Sequence, residues 1–151
     1  MSSVVVDASV LIACAVADGK TRRVYLSARD VEFYAPAFIR EELLKRVPKI
    51  LAISRVTPTV LSTLLEDLFA QLTVVPRDGY DEQLGEAKKI VRRVDAEGDE
   101  DYVALALSLR APIWTYDKDF LRIKEVRVVR TEQILAGVRA WNDKQRQFSS
   151  K

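Results

Sequence analysis

Histidine does not occur among the 151 residues, and cysteine and methionine occur once each. Without imidazole there is no Ser-His-Asp triad, no ribonuclease chemistry in which histidines move the proton, and no zinc site built on histidine. The single cysteine, Cys14, allows no intrachain disulfide and no thiolate cluster. That usage suits a reducing cytoplasm, and the simplest role for Cys14 is as a small buried hydrophobe. Glycine is scarce, and its five positions, at 19, 79, 85, 98 and 137, are too scattered for a dinucleotide fingerprint or a phosphate-cradling loop. No long hydrophobic run is present: the longest, Val10 to Ala17, falls far short of the ~20 residues of a membrane-spanning helix. It follows the acidic Asp7 rather than a basic leader, so neither membrane insertion nor export is expected. Lys and Arg total 24 against 22 acids, a formal charge of +2. That balance neither demands nor forbids nucleic acid; the placement of the charges decides.

What is present reads as alternating strands and helices. Val4 to Val6 is a β-branched run without alternation, as in a strand buried on both faces. Helical patterns follow over Ser9 to Ala17 and Lys20 to Arg29, then a strand over Glu32 to Ala35 closed by Pro36. Ala37 to Ser54 reads as a helix kinked at Pro48, and Pro58 suits the first turn of the next one. There Leu61, Leu64, Leu65 and Leu68 make one apolar stripe. A strand over Leu72 to Val75 leads to a helix from about Gly79 to Val94, an acidic loop, and a nearly all-apolar helix over Asp101 to Leu109. Strands at Pro112 to Thr115 and Val126 to Val129, and a helix from Thr131 to about Trp141, complete the chain. Strands separated by helices imply a three-layer α/β/α fold around a parallel sheet of about five strands. The length favours one domain, 1–141, with a polar tail at 142–151.

Acidic residues stand where strands end and helices begin, the place where open parallel sheets bind ligands. Asp7 follows the first strand directly, and Asp117 follows Ile113-Trp114-Thr115. Glu41 and Glu42 open the helix after the second strand, and Asp99 stands before the helix that leads into the fourth. Each alone has an ordinary structural role. Asp7 or Asp99 suits a helix cap, Asp117 a turn, and Glu41 or Glu42 a first-turn acid favoured by the helix dipole. Together they would repel by several kcal/mol at about 4 Å, so some must hold protons or a cation must neutralise them. An all-oxygen site suits Mg²⁺ or Mn²⁺ and metal-assisted phosphodiester hydrolysis.

Val4-Val5-Val6-Asp7-Ala8-Ser9-Val10-Leu11 resembles the opening of PIN-domain nucleases, whose first strand ends in Asp-x-Ser. Ala35-Pro36 with Glu41-Glu42-Leu43, then Asp99-Glu100-Asp101-Tyr102-Val103-Ala104, then Thr115-Tyr116-Asp117-Lys118-Asp119-Phe120, resemble the segments bearing that family's other acids, in the same order. The chain is most similar to small prokaryotic PIN proteins, VapC-type toxins among them. The resemblance implies Asp7, Glu42, Asp99 and Asp117 as catalytic acids, with Asp7, Asp99 and Asp117 as ligands of Mg²⁺ or Mn²⁺ and Glu42 orienting the water. Ser9, Thr115 and Asp119 match supporting positions. Glu41 competes with Glu42, Asp101 with Asp99, and Asp119 with Asp117. It further implies a cytoplasmic endoribonuclease, a homodimer and a VapB-like antitoxin partner, the toxin and antitoxin forming a pair.

Candidate phosphate contacts are Lys20, Arg22, Arg23, Arg40, Lys45, Arg46, Lys118 and Arg122, although lone basic residues are commonly just solvated. Trp114 and Tyr116 could stack on bases, Trp114 being better suited to the core. Other functions fit less well. An aspartyl-phosphate phosphohydrolase wants an acid where Ser9 stands. A phosphotransfer receiver wants its acceptor after the third strand, where Val74-Val75 runs into Pro76. A solitary PIN nuclease in RNA processing, or a PIN-like module that binds without cleaving, remains as an alternative.

Overall fold

Val4, Val5 and Val6 are buried on both faces of the sheet, and strand β1 (Ser2–Val6) is the middle of five parallel strands. The computed structural model describes residues 2–96 and 98–136. From β1 the chain passes through helices α1 (Ala8–Val16) and α2 (Lys20–Ser27) to β2 (Val31–Pro36). Helices α3 (Ile39–Ser54) and α4 (Pro58–Ala70) lead to β3 (Leu72–Val75). A 3₁₀ turn at Arg77–Gly79, α5 (Asp81–Arg93) and α6 (Glu100–Leu109) lead to β4 (Ile113–Trp114); a second 3₁₀ turn, Lys118–Arg122, precedes β5 (Val128–Val129). Residues 131–136 are helical. The rest of the expected last helix and the tail lie outside the described residues.

The strand order is β3-β2-β1-β4-β5, all pairs parallel. The chain therefore builds outward from β1 on one side and then returns to build on the other. Helix α1 packs with α2, α3 and α4, while α5 packs on α6, which lies against β1, β2 and β4. This is the expected three-layer α/β/α arrangement. Among the described residues no helix is long and apolar enough to cross a membrane.

The core is aromatic at its centre. Tyr25 stacks on Phe33 with ring centroids 4.8 Å apart, and Phe33 lies 5.7 Å from Trp114; such pairs add about 0.5–1.5 kcal/mol each beyond area burial. Tyr25 is fully buried, and its hydroxyl donates to the Leu68 carbonyl at 2.6 Å, fastening α2 to the end of α4. Cys14 is buried and its thiol is pushed up to about 12 by that burial, so it carries no thiolate at neutral pH.

Two local differences from the sequence reading have physical reasons. The helix expected from Gly79 begins at Asp81, because Gly79 N–H and Tyr80 N–H bond back three residues to the Pro76 and Arg77 carbonyls. Strand β4 is shorter than Pro112 to Thr115, because Thr115 Oγ1 accepts the Asp117 N–H at 2.9 Å and turns the chain out of the ladder. The helix expected over Ala37 to Ser54 is α3, and Pro48 inside it removes the donor for the Leu44 carbonyl. Leu44 and Pro48 are both exposed, so water can serve instead.

A Cβ on Gly79 would meet Val75 Cγ1 at 2.6 Å, and a β-branched side chain has no easy rotamer to retreat into. Gly79→Ala is expected to cost about 1–3 kcal/mol in urea unfolding. Unchanged stability would show that the β3–α5 junction gives way freely.

Candidate active site

Because β2 and β4 flank β1, the carboxyl ends of β1 and β4 border the crevice where the strand order reverses. Asp7 leaves β1 there, its N–H bonded to the Trp114 carbonyl at 3.1 Å. The residue is only 6% exposed. Two hydroxyls hold one oxygen: Ser9 Oγ donates to Asp7 Oδ2 at 2.7 Å and Thr115 Oγ1 at 2.8 Å. Asp7 occupies the cap position of α1, yet its side chain makes no capping bond. Asp99 stands likewise before α6 and caps nothing. Asp117 does serve its turn, accepting the Asp119 N–H at 3.0 Å.

Glu42, in the first turn of α3, is half-buried and accepts a hydrogen bond from Tyr102 Oη at 2.8 Å. Burial pushes its carboxyl up, the Tyr102 bond opposes this, and the charge of Asp7 adds to it. Asp99 is the most perturbed of the set. Burial, then the charges of Asp7, Asp117, Asp119 and Glu42, raise it from its ordinary 3.8 to about 7. The structure thus brings Asp7, Glu42, Asp99, Asp117 and Asp119 to one end of the sheet, within reach of each other's fields. Of the alternatives weighed from sequence, Glu41 is exposed. Asp101 turns to the other side of α6, where it accepts Tyr80 Oη at 2.6 Å and lies 3.6 Å from Arg77 Nε. Asp119 joins Asp117 in the cluster but also lies 3.4 Å from Arg122.

Among the described residues no three acidic side chains are arranged to close on a single ion. The donor set still suits a hydrated divalent cation: every donor is oxygen, the pocket is partly desolvated, and among the described residues no Lys or Arg forms a direct ion pair with Asp7, Glu42, Asp99 or Asp117. Mg²⁺ in particular keeps several waters and needs only one or two direct carboxylates.

The basic residues divide. Arg22 is committed to the fold, its Nε donating to the Cys14 carbonyl at 2.7 Å. Arg40 lies over the Phe69 ring at 4.8 Å. Arg122 bonds the Val94 carbonyl and Asp119, and Lys20 pairs with Glu132 at 3.1 Å. Arg23 is exposed. Lys45 and Arg46 lie close enough to Glu42 to oppose its upward shift, and Lys118 stands beside Asp117 on a shared cavity. Tyr102 was missed in the sequence. Its signal was its place three residues after Asp99, which puts both on one face of α6.

The PIN domain is the family that matches, over residues 5–137. No curated protein sequence matches the chain. DNA-bound VapBC from Salmonella typhimurium is similar with a TM-score of 0.68 at 18% identity, covering 87% of this chain and 99% of that one. PAE2754 from Pyrobaculum aerophilum gives 0.68 at 20%, covering 92% and 90%. VapBC2 from Rickettsia felis, bound to a DNA fragment from the promoter, gives 0.63 at 14%, covering 85% and 98%.

The crowding of carboxylates has a sign that can be measured. Asp99 binds its proton more tightly folded than unfolded, so metal-free stability falls as pH rises from about 4 through about 7. Asp99→Asn keeps the size of a side chain that makes no cap bond and removes the charge. It is expected to raise stability in chelator at pH 8 by about 1–2 kcal/mol after solvent screening of a half-open site, read as a higher melting temperature, and to change little at pH 4. Equal melting of the two proteins at pH 8 would mean that Asp99 does not feel its neighbours.

Proposed function

The chain belongs to the PIN domain family, and from that membership and its carboxylate cluster we propose that it is a divalent-metal-dependent endoribonuclease hydrolysing RNA phosphodiester bonds. The observation that carries this reading is the placement of Asp7, Glu42, Asp99 and Asp117 from four segments of the chain at one end of the sheet, where burial and the other acids raise Asp99 to about 7. Fixed like charges of this kind raise the energy of the folded chain, and a bound cation would turn the cost into affinity. Asp7, Asp99 and Asp117 would hold a hydrated Mg²⁺ or Mn²⁺, one or two of them directly and the rest through water, and the ion would supply an acidified water and positive charge against the leaving oxygen. Ser9 and Thr115 keep the Asp7 carboxylate in place by donating to one oxygen, which leaves the other available. Glu42, steadied by Tyr102 and raised by burial, is suited to accept a proton from an attacking water.

We further propose a cytoplasmic toxin, active as a homodimer and restrained by a VapB-like antitoxin. Likeness to the VapBC structures supports this partner. So does an apolar cleft of about 320 Å³ between α1 and α3, lined by Ile12, Val16, Ile50 and Ile53 and reaching Ser9. A partner segment seated there would lie next to the carboxylates.

Asp7→Asn is expected to abolish manganese-dependent cleavage of a mixed RNA pool and to remove Mn²⁺ binding heat in calorimetry. Expression of the wild type alone should arrest bacterial growth, and expression of Asp7→Asn should not. Retained cleavage by Asp7→Asn would overturn the assignment. Thr115→Val, which keeps the side-chain shape and removes a donor to Asp7, should lower manganese affinity about 10- to 100-fold, read by the same titration.

A further inference from the structure

Tyr116 is 47% exposed, yet it is held at both ends. Its backbone N–H donates to Ser9 Oγ at 3.1 Å. Its hydroxyl is within 2.6 Å of Thr21 Oγ1 and also bonds Thr131 Oγ1, a residue only 4% exposed. These partners come from α2 and from the segment after β5, so the ring is pinned by parts of the chain 95 residues upstream and 15 downstream. A side chain that merely tied these elements together would be expected to bury its ring.

The ring borders a cavity of about 300 Å³ that Thr115 and Asp117 also line, so it is continuous with the carboxylate site. Leu121, 55% exposed, adds a second apolar surface to it. The charge around this cavity is mixed but leans positive. Glu132 is paired with Lys20, whereas Lys118 and Arg130 have no acidic partner within 4 Å among the described residues. A rigid aromatic face with cations beside it matches a base and its phosphates.

We propose that Tyr116 is a stacking platform for one unpaired base of the RNA, next to the phosphate on which the carboxylates act. The assignment rests on the ribonuclease reading and narrows it, because a base can lie on this ring only if it is out of a duplex. Tyr116 then influences where the chain is cut, while its face remains tolerant of base identity. Lys118 and Arg130 hold the flanking phosphates.

The test uses the full chain with Asp99→Asn, which removes one acidic charge and stops turnover, and a short fluorescent single-stranded RNA read by anisotropy. Adding Tyr116→Leu should weaken binding about 10-fold, whereas Tyr116→Phe, which keeps the face and loses the hydroxyl bonds, should stay within about threefold. Binding of the same RNA annealed to its complement should not change. In the otherwise wild-type chain, Tyr116→Leu should raise KM more than it lowers kcat and redistribute the cleavage sites. Thermal melting checks that both variants fold. Equal binding by Tyr116→Leu and its parent overturns the platform, and so does a loss in Tyr116→Phe as large as in Tyr116→Leu, which would make the ring a strut. Should the wild type cleave no RNA while ring-dependent binding persists, the nuclease reading falls and the platform stands.

Discussion

Asp7 is held by two hydroxyls that reach it from different parts of the chain: Ser9, two residues on, and Thr115, from the end of β4. The second bond exists only because β1 and β4 are paired, with Val6 beside Trp114. That pairing is the constraint from which the site follows. It places the ends of two strands side by side at the point where the sheet changes direction, and the acids that follow those strands come with them. Helices α3 and α6 then bring Glu42 and Asp99 to the same end. A buried sheet of valines and aromatic rings supplies the rigidity that keeps like charges from moving apart.

The same hydroxyl serves both sides of the crevice. Ser9 Oγ donates to Asp7 and accepts from the Tyr116 backbone, so the carboxylate and the exposed ring are fixed by one atom. Thr115 has a similar double part, donating to Asp7 and accepting from the Asp117 N–H. Proposed metal ligands and proposed base platform therefore share their supports. Such coupling keeps a reacting phosphate and a neighbouring base in a constant relation, as hydrolysis at a defined position requires.

The fold and the gathering of the acids were largely legible in the amino-acid order. An unalternated β-branched run at Val4–Val6 and a buried strand pattern at Pro112–Thr115, separated by helical periodicity, imply a parallel sheet, and acids just beyond such strands must lie at one end of it. Choices between neighbours were not legible. Glu41 and Glu42, or Asp99 and Asp101, differ by one or two residues, a rotation of about 100–200° around a helix. Which one faces the crevice depends on what each helix packs against. Asp101 is drawn away by Tyr80 and Arg77 from the 3₁₀ turn and its end, and Tyr102 reaches Glu42 across sixty residues. The fate of the basic residues was equally hidden: Arg22 spends its donor on the Cys14 carbonyl, a contact that no spacing rule foretells.

By itself, the sequence determined the class of fold, the absence of imidazole and thiolate chemistry, and the set of acids from which a site could be made. These follow from residue types and from short-range periodicity, which operate within a few residues of chain. Tertiary structure alone decided which acids share a field, which hydroxyls hold Asp7, and that Tyr116 presents a fixed face to solvent. Those outcomes rest on contacts between segments about a hundred residues apart, and such contacts form only when the strands have chosen their neighbours.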